Sequence, residues 1–493
     1  MKRNGTLVAL CLVLGPTAPA AAPNVIDIAD RLELFVDAFL IDTVKGVTRR
    51  LHAPQRREVA IKFDKPWEGG ACGYPTVFQD DGVYRMYYRA QDVVGPYIRF
   101  PNMYGPEVTC TAQSKDGIHW TRPKLNLFVG EFTSRYGKKF TVGRDNNIVW
   151  IGKGRLVDTT HNFSPFRDTN PACKPEARYK AFARMFDGKV AGLLAFQSPD
   201  AIHWSLMQDA PVTTEGRNDT HPAVFWDSVR KRYVEFHRGN MRRGYRDLIT
   251  STSEDFLHWT PDQEVTYGNT PNEHLYSPKV VPYFRAPHIY LAFPMRLVTG
   301  RVWVKQHPEH EISDAVFMSS RDGVRFDRSY MEGWIRPGLD PERKSWIHGN
   351  TEPACGLLQT GPDELSVYWI ECAAQVGSIA QMRRGTLRLD GFVSMHATYA
   401  GGEFVTKPLR FAGRRLVINF ATSAAGAVRV EIQDPTGKPL PGFELKQSLL
   451  TYGDAIEQEV RWKSGPDVAP LAGKPIRLRF VMKDADLYAI RFR

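Results

Sequence analysis

The stretches S-K-D-G-I-H-W at residues 114–120, S-P-D-A-I-H-W at 198–204, S-E-D-F-L-H-W at 253–259 and S-R-D-G-V-R-F at 320–326 repeat one pattern along the chain. Each stretch follows an apolar run typical of a β-strand and ends in an aromatic residue that opens the next run. The shared Asp can accept hydrogen bonds from the backbone amides of its own turn. We therefore interpret the four copies as structural turns of a repeated β-unit.

Further apolar runs accompany these turns and define units of four strands. Paired runs lie at 74–78 and 83–89, 178–185 and 191–197, 223–226 and 232–236, and 279–283 and 288–293. A fifth pair at 355–358 and 365–370 leads to a run at 385–389. Five such units between residues 60 and 400 predict a five-bladed β-propeller. We expect residues 32–41 to supply the strand that closes the ring.

The pattern of apolar runs and turn residues changes after Gly401-Gly402. Apolar or alternating runs at 416–421, 427–432, 456–462 and 476–480 are separated by turn residues. This pattern predicts a small C-terminal β-sandwich. The predicted fold class is therefore all-β, with the propeller at 23–400 and the sandwich at 401–493.

The N-terminus has the layout of a secretory signal peptide. Lys2 and Arg3 precede an apolar run at 7–14, and the small residues at 18–22 suit cleavage. We predict a signal peptide at 1–22 and a secreted or periplasmic mature chain. The apolar run is shorter than the ~20 residues that a membrane span needs, so no membrane span is predicted.

The chain is basic, with 65 Lys plus Arg against 54 Asp plus Glu and a net charge of +11. For a secreted protein, this charge favours an anionic carbohydrate as a partner, although an ordinary solvated surface explains it as well. The Arg residues are scattered, and no basic tract is interleaved with aromatic residues. This pattern argues against a nucleic-acid partner.

Five cysteines follow the signal peptide, and an odd number leaves at least one outside any intramolecular disulfide. They are Cys72, Cys110, Cys173, Cys355 and Cys372. We interpret them mainly as small buried residues. The sequence contains no C-x-x-C or H-E-x-x-H motif, so we predict no metal site and no cofactor, and leave structural calcium open.

The loops that precede the innermost strands of a propeller converge on its axis, and each of the five loops carries a carboxylate. Glycoside cleavage needs one carboxyl group to protonate the leaving oxygen and another to act as nucleophile or as base for water. We predict Glu273 as the acid, Asp219 as base or nucleophile, and Asp168 as the orienting partner. Glu352 is a second candidate for the base.

Other side chains in or near these loops suit sugar binding, because Arg binds carboxylates and hydroxyls and aromatic rings stack on sugar faces. The candidates are Glu68, Trp67, Tyr74, Arg167, His221, His274, Tyr276, Arg296, Arg336 and His348. Carboxylates at strand starts also cap turns or pair with Arg in purely structural networks. That structural role is the alternative for each of them.

The five-unit layout, the S-x-D turns and the C-terminal sandwich resemble the five-bladed propeller glycoside hydrolases of families 32 and 68 and of families 43 and 62. The stretches H-N-F-S-P-F-R-D-T-N-P at 161–171, E-H-L-Y at 273–276 and P-Y-F-R-A-P-H at 282–288 are similar to those of secreted family-32-like bacterial propellers. The resemblance extends over nearly the whole mature chain.

The resemblance implies roles for two residues. Phe166-Arg167-Asp168 matches the F-R-D element of family 32, in which the Asp holds sugar hydroxyls in the transition state. Glu273 matches the acid/base Glu of that family. The first loop reads G-A-C-G-Y at 70–74 and lacks the nucleophilic Asp of the family, so Asp219 or Glu352 would take that role.

The sequence thus favours a secreted hydrolase that cleaves glycosidic bonds of a polysaccharide or oligosaccharide. The alternatives are a sialidase-like hydrolase of anionic sugars and a non-catalytic carbohydrate-binding or surface propeller. Three carboxylates within ~10 Å in the axial pocket would favour an enzyme. Carboxylates that are each bound to an Arg would favour a binding module.

Overall fold

The computed structural model describes residues 25–94, 104–186, 188–216, 218–241, 244–339 and 345–493. The chain is 48% strand and 3% helix, which confirms the predicted all-β class. Its helices are the short 3-10 segments Gly154–Thr160, Pro175–Ala177 and Ala469–Leu471. Among the described residues, no helix has the length and apolar character needed to cross a membrane. The predicted signal peptide lies outside the described residues.

Five antiparallel sheets of four strands follow one another along the chain, each ordered from its inner strand outward. The first contains Gly73–Asp80, Val83–Ala90, Val108–Ser114 and Ile148–Trp150. The second contains Ser164–Arg167, Tyr179–Phe186, Ala191–Ser198 and Ser205–Leu206. The third contains Ala223–Asp227, Arg232–Arg238, Leu248–Ser253 and Gln263–Glu264. The fourth contains Val280–Tyr283, Ala286–Ala292, Met318–Ser320 and Phe326–Asp327. The fifth contains Leu358–Gln359, Glu364–Glu371, Gln381–Arg388 and Gln55–Lys62.

The inner strands of all five sheets line one cavity of about 430 Å³. Neighbouring inner strands are joined by hydrogen bonds. The amide of Val77 in the first sheet donates to the carbonyl of Cys355, next to the fifth sheet, at 2.9 Å. The hydroxyl of Ser164 in the second sheet donates to the carbonyl of Pro222, next to the third, at 2.7 Å. The inner strands of the five sheets therefore lie around this one cavity.

The strand that completes the fifth sheet is Gln55–Lys62, which pairs with Gln381–Arg388. The expectation that residues 32–41 fill this position is wrong, because Glu33–Leu34 pairs with Arg477–Phe492. Gln55–Lys62 lies at the outer edge of its sheet, and its first four residues are exposed. An edge strand of this kind lacks the apolar run that identifies buried strands.

The four S-x-D turns have the predicted structural role. In the third sheet, Asp255 Oδ1 accepts hydrogen bonds from the amides of Leu257 at 2.9 Å and His258 at 2.8 Å. The hydroxyl of Ser253 accepts the amide of Phe256 at 2.9 Å. The turns at Asp116, Asp200 and Asp322 repeat the paired amide bonds to Oδ1.

A three-stranded sheet extends the fourth sheet at the N-terminal end of its inner strand. It consists of His274–Tyr276, Met295–Thr299 and Glu311–Ala315. Since each of these strands continues directly into or from a strand of the fourth sheet, the extension stands beside the loops that precede the inner strands.

A separate sheet of eight strands joins the two ends of the described chain. Its members are Glu33–Leu34, Ile41–Lys45, Val47–Leu51, Val393–Ala397, Gly402–Thr406, Leu416–Gln433, Asp454–Glu459 and Arg477–Phe492. Buried Phe404 and Phe480 stack in its core with ring centroids 4.8 Å apart. Two small sheets complete the fold, a parallel pair of Ile26–Ala29 with Leu409–Phe411 and a hairpin of Gly130–Thr133 with Lys139–Val142.

Candidate functional site

Tyr74 lies at the centre of a polar cluster, at the N-terminal ends of the inner strands. Its φ of 54° places a non-glycine residue in the left-handed region, a strained conformation that persists only where neighbours impose it. Its amide donates to Glu352 Oε2 at 3.0 Å, and its hydroxyl lies 2.6 Å from the hydroxyl of Tyr276. The Tyr74 ring stacks on His221 at 5.6 Å, and the guanidinium of Arg89 lies 4.5 Å from the ring centroid.

A buried charge pair, Lys279 and Glu352, lies next to Tyr74. The Lys279 side chain is fully buried, and its Nζ lies 3.0 Å from Glu352 Oε1. The same Nζ lies 2.8 Å from His221 Nδ1. Burial, and then the charges of Lys279 and Arg89, hold the pKa of His221 well below its ordinary value. His221 is therefore neutral, and its Nδ1 accepts a hydrogen bond from the ammonium group.

Asp219 lies on the loop before the third inner strand and faces the tyrosine pair. Its peptide carbonyl accepts the hydroxyl of Tyr74 at 3.2 Å. The Asp219 side chain is 35% exposed, and Oδ2 lies 3.2 Å from Arg238. Among the described residues, its Oδ1 has no hydrogen-bond partner. Oδ1 is itself buried, so it is an unsatisfied acceptor inside the protein, and the exposed part of the Asp219 side chain lies elsewhere.

The loop that carries Asp219 is held in place by Asn162, which precedes the second inner strand. The Asn162 side-chain amide is buried and donates to the carbonyls of Asn218 at 2.9 Å and Thr220. Because both neighbours of Asp219 are bound, the position of its carboxylate is set by the second and third sheets together.

The extension of the fourth sheet supplies one side of the cluster. Glu311 accepts hydrogen bonds from His348 Nδ1 at 2.7 Å and from Arg246 at 3.1 Å. Burial opposes ionisation of Glu311, but His348 and Arg246 outweigh it and lower its pKa to about 2. The guanidinium groups of Arg238 and Arg246 each lie 5.9 Å from the ring centroid of Tyr276.

The first and second sheets supply the opposite side. His161 Nδ1 lies 2.9 Å from Glu107 Oε1, and the His161 ring meets the Tyr74 ring edge-on at 5.4 Å. Arg135 lies 3.5 Å from the same Glu107 carboxylate. Arg89 contacts His161 Nδ1 at 3.3 Å. We call the side chains around the two tyrosines the axial cluster. Its members are Tyr74, Arg89, Glu107, Arg135, His161, Asp219, His221, Arg238, Arg246, Tyr276, Glu311, His348 and Glu352.

The structure brings together six of the residues that the sequence predicts. Tyr74 lies in the first sheet and Tyr276 in the extension of the fourth, and the other four lie in the loops before the third and fifth sheets. The six are Asp219, Glu352, Tyr74, His221, Tyr276 and His348. Sequence reasoning did not assign Arg89, Arg238, Arg246, Lys279, Glu107, His161 or Glu311. One signal was available, since the second strands of the first three sheets carry an arginine at or near the end that returns to the axis, namely Arg89, Arg184 and Arg238.

Glu273 and His274 stand beside the axial cluster on the extension. Both oxygens of Glu273 are occupied, because Arg296 contacts Oε1 at 3.2 Å and Arg328 contacts Oε2. His274 Nδ1 accepts the amide of Arg246 at 3.1 Å. Their contacts are therefore to arginines that hold the extension together.

Asp168 and Arg167 lie away from the axial cluster. The second inner strand runs from Ser164 to Arg167, so Arg167 ends the strand and Asp168 follows it, at the end that points away from His161. Asp168 binds the ammonium group of Lys180 and accepts the hydroxyl of Tyr233 at 2.7 Å. The F-R-D match therefore does not bring its carboxylate to the other candidates.

Three further candidates also lie elsewhere. Glu68 is buried and accepts hydrogen bonds from the guanidinium of Arg122 and from the hydroxyl of Tyr88, which lies in the first sheet. Trp67 donates from Nε1 to Asn147 at 3.0 Å. Arg336 is exposed and lines a groove next to the fifth sheet. None of these three contacts Tyr74 or Tyr276 among the described residues.

Comparison with known proteins gives no family for this chain. No protein-family model matches it, and no curated protein sequence matches it. Among solved structures, the chain is similar to BT0996 in its RGII complex, with 12% identity, 70% of this chain and 95% of that protein covered, and a TM-score of 0.46. It is similar to a glycosyl hydrolase from Bacteroides ovatus, with 15% identity, 68% and 94% covered, and a TM-score of 0.39. It is also similar to a β-1,2-mannobiose phosphorylase from Listeria innocua, with 12% identity, 66% and 92% covered, and a TM-score of 0.42.

Proposed function

We propose that this chain is a secreted carbohydrate-active enzyme, a five-bladed propeller that cleaves glycosidic bonds at the axial cluster. The five four-stranded sheets around one cavity support the propeller arrangement. Tyrosine, histidine and arginine side chains converge at one end of the axis, and they suit the hydroxyl groups and ring faces of a sugar.

One observation carries the proposal. Of the four predicted catalytic carboxylates, Asp219 has the most exposed side chain, at 35%, and its buried Oδ1 has no hydrogen-bond partner among the described residues. In Glu352, one oxygen accepts the Tyr74 amide and the other pairs with Lys279. We therefore assign the role of base to Asp219 and a positioning role to Glu352.

The proton donor in this proposal is His348. Its Nδ1 is held by Glu311 at 2.7 Å, and its side chain is 21% exposed at the cluster. A histidine oriented by a carboxylate is a common general acid. Water attacks the anomeric carbon and gives its proton to Asp219, while the glycosidic C–O bond breaks and the leaving oxygen takes a proton from His348. We assign the acid to His348 in place of Glu273, because both carboxylate oxygens of Glu273 contact arginines.

The arginines favour an anionic sugar as the substrate. Arg89, Arg238 and Arg246 each place a guanidinium within 6 Å of one ring of the tyrosine pair. Guanidinium groups bind carboxylates in a bidentate manner. This observation supports the hydrolase of anionic sugars among the alternatives that the sequence leaves open.

A non-catalytic binding propeller is the second candidate. Glu273, Glu311 and Glu352 each pair with a cationic side chain, which is the pattern expected of a binding module. Such a module would bind acidic oligosaccharides without cleaving them.

The deciding experiment incubates purified mature protein with a panel of uronate-containing and neutral oligosaccharides and aryl glycosides, and measures released reducing ends. We expect Asp219→Asn to lower turnover at least ~100-fold, the usual contribution of a general base. Asp168→Asn is the matched control and should keep turnover within a few-fold, with folding of both variants checked by circular dichroism. Wild-type turnover in Asp219→Asn would overturn the assignment. Tight binding without cleavage of any substrate would establish the binding module instead.

A further inference from the structure

A second cluster of ionisable side chains lies inside the third sheet, apart from the axial cluster. Glu235 and His237 are on the strand Arg232–Arg238 at alternate positions, so they face the same side of the sheet. Asp262 precedes the neighbouring edge strand Gln263–Glu264. One potential ligand atom from each of Glu235, His237 and Asp262 lies within 4.8 Å of the other two.

One carboxylate oxygen of Asp262 is aimed into this cluster. Its side chain is 5% exposed, and its Oδ2 lies 3.5 Å from His237 Nε2. Among the described residues, that Oδ2 makes no hydrogen bond. Asp262 also lines a cavity of about 40 Å³ together with Glu215 and Asp247.

The charge of the two carboxylates is not balanced by lysine or arginine among the described residues. In the described part of the chain, neither Glu235 nor Asp262 forms an ion pair with lysine or arginine, and His237 is the ion-pair partner that they share. Buried carboxylates are costly unless they are paired or coordinate a metal ion. The buried carboxylate of Glu352, by contrast, is paired with a lysine, Lys279.

We propose that Glu235, His237 and Asp262 bind one divalent cation of the Zn²⁺ or Mn²⁺ class. One imidazole and two carboxylates suit these ions. Ca²⁺ takes six to eight oxygen ligands and fits this smaller mixed set less well. The metal-binding proposal does not rest on the proposed glycosidase activity, because none of the three ligands belongs to the axial cluster.

The cation would also act on the axial cluster through the backbone. The carbonyl of Glu215 lies 3.2 Å from His237 Nε2, and Glu215 starts the loop that leads to Asp219. His237 is followed directly by Arg238, the partner of the Asp219 carboxylate. A bound ion therefore fixes both the loop that carries Asp219 and the strand that carries its arginine.

The test measures metal binding without any activity assay. The full mature protein is stripped with a chelator, dialysed, and titrated by calorimetry with Zn²⁺, Mn²⁺, Ca²⁺ and Mg²⁺, while metal content after expression is measured by mass spectrometry. We expect one equivalent of Zn²⁺ or Mn²⁺ per chain and a higher melting temperature on its addition. Asp262→Asn preserves shape and should weaken the affinity at least ~10-fold, the smallest usual effect of losing even an outer partner of a metal ligand.

His288→Gln is the matched control, because His288 and Glu33 form a second buried pair at 3.1 Å outside any such cluster. It should bind the ion as wild type does. The competing arrangement is a protonated His237 held between two carboxylates. Wild-type protein that binds none of the four ions, or equal losses of affinity in Asp262→Asn and His288→Gln, would establish that arrangement and overturn the proposal. If Asp262→Asn fails to fold, the stoichiometry and melting shift of the wild type decide the question.

Discussion

The substitution Lys279→Met removes the buried cation beneath the axial cluster while keeping a side chain of similar length. Lys279 Nζ lies 3.0 Å from Glu352 Oε1, and the two side chains are 0% and 5% exposed. At an effective dielectric constant of ~20, unit charges at this separation attract by about 5 kcal/mol. The variant leaves Glu352 with the Tyr74 amide at 3.0 Å and the Ser277 hydroxyl at 3.4 Å as its remaining partners.

An uncompensated buried carboxylate is the main cost of this change. We expect Lys279→Met to lower the free energy of unfolding by about 3–5 kcal/mol, as for other broken buried ion pairs. The double variant Lys279→Met/Glu352→Gln removes both charges and should recover much of that loss, since a neutral pair needs no counter-charge. The coupling between the two substitutions should reach about 2 kcal/mol.

Urea unfolding at pH 7, followed by tryptophan fluorescence, measures the wild type, both single variants and the double variant. A cost below about 1 kcal/mol for Lys279→Met would refute the reasoning. Strict additivity of the two single variants would refute it as well, because it would show that the charges do not act as a pair.

Two further predictions concern other carboxylates. The folded-state pKa of Glu311, about 2, lies below its ordinary value of 4.5, so its ionisation stabilises the fold above pH 4.5 and that stability is lost as pH falls toward 2. The shift corresponds to about 3 kcal/mol, and urea unfolding between pH 6 and 3 should show a shallower acid loss in Glu311→Gln than in wild type. Asp255→Ala removes the acceptor of two turn amides. It should lower the free energy of unfolding, measured by urea unfolding, by about 1–2 kcal/mol. The control His258→Ala touches only an exposed ion pair and should change it by less than about 0.5 kcal/mol, and equal effects of the two would contradict the structural role of the turn.

Local sequence was enough to predict the repeated architecture. The S-x-D turns depend on hydrogen bonds between residues two or three positions apart, so four copies are readable directly from the chain. The apolar runs around them identify the buried strands by their period. The charged strand Gln55–Lys62 escaped detection because an edge strand needs no apolar face.

Sequence reasoning could predict a site residue only where that residue lies in the loop before an inner strand or at the start of that strand. Tyr74, Asp219, Tyr276 and Glu352 were found by that rule, since the N-terminal ends of the inner strands converge in any arrangement of this kind. Asp168 failed the same rule. It follows its inner strand instead of preceding it, and a difference of a few residues moves a side chain to the opposite end of the strand.

What the sequence could not show is which charges meet. Tyr74 and Glu352 are 278 positions apart, and Lys279, directly before the inner strand of the fourth sheet, reaches Glu352 in the loop before the fifth. Antiparallel pairing returns the end of each second strand to the axis, which places Arg89 and Arg238 beside the tyrosine pair. A local pattern can therefore specify the turns and strands. The pairing of each carboxylate, and with it the exposure of the Asp219 side chain, follows from distances between sheets, which are set only when the five sheets pack around the cavity that their inner strands line.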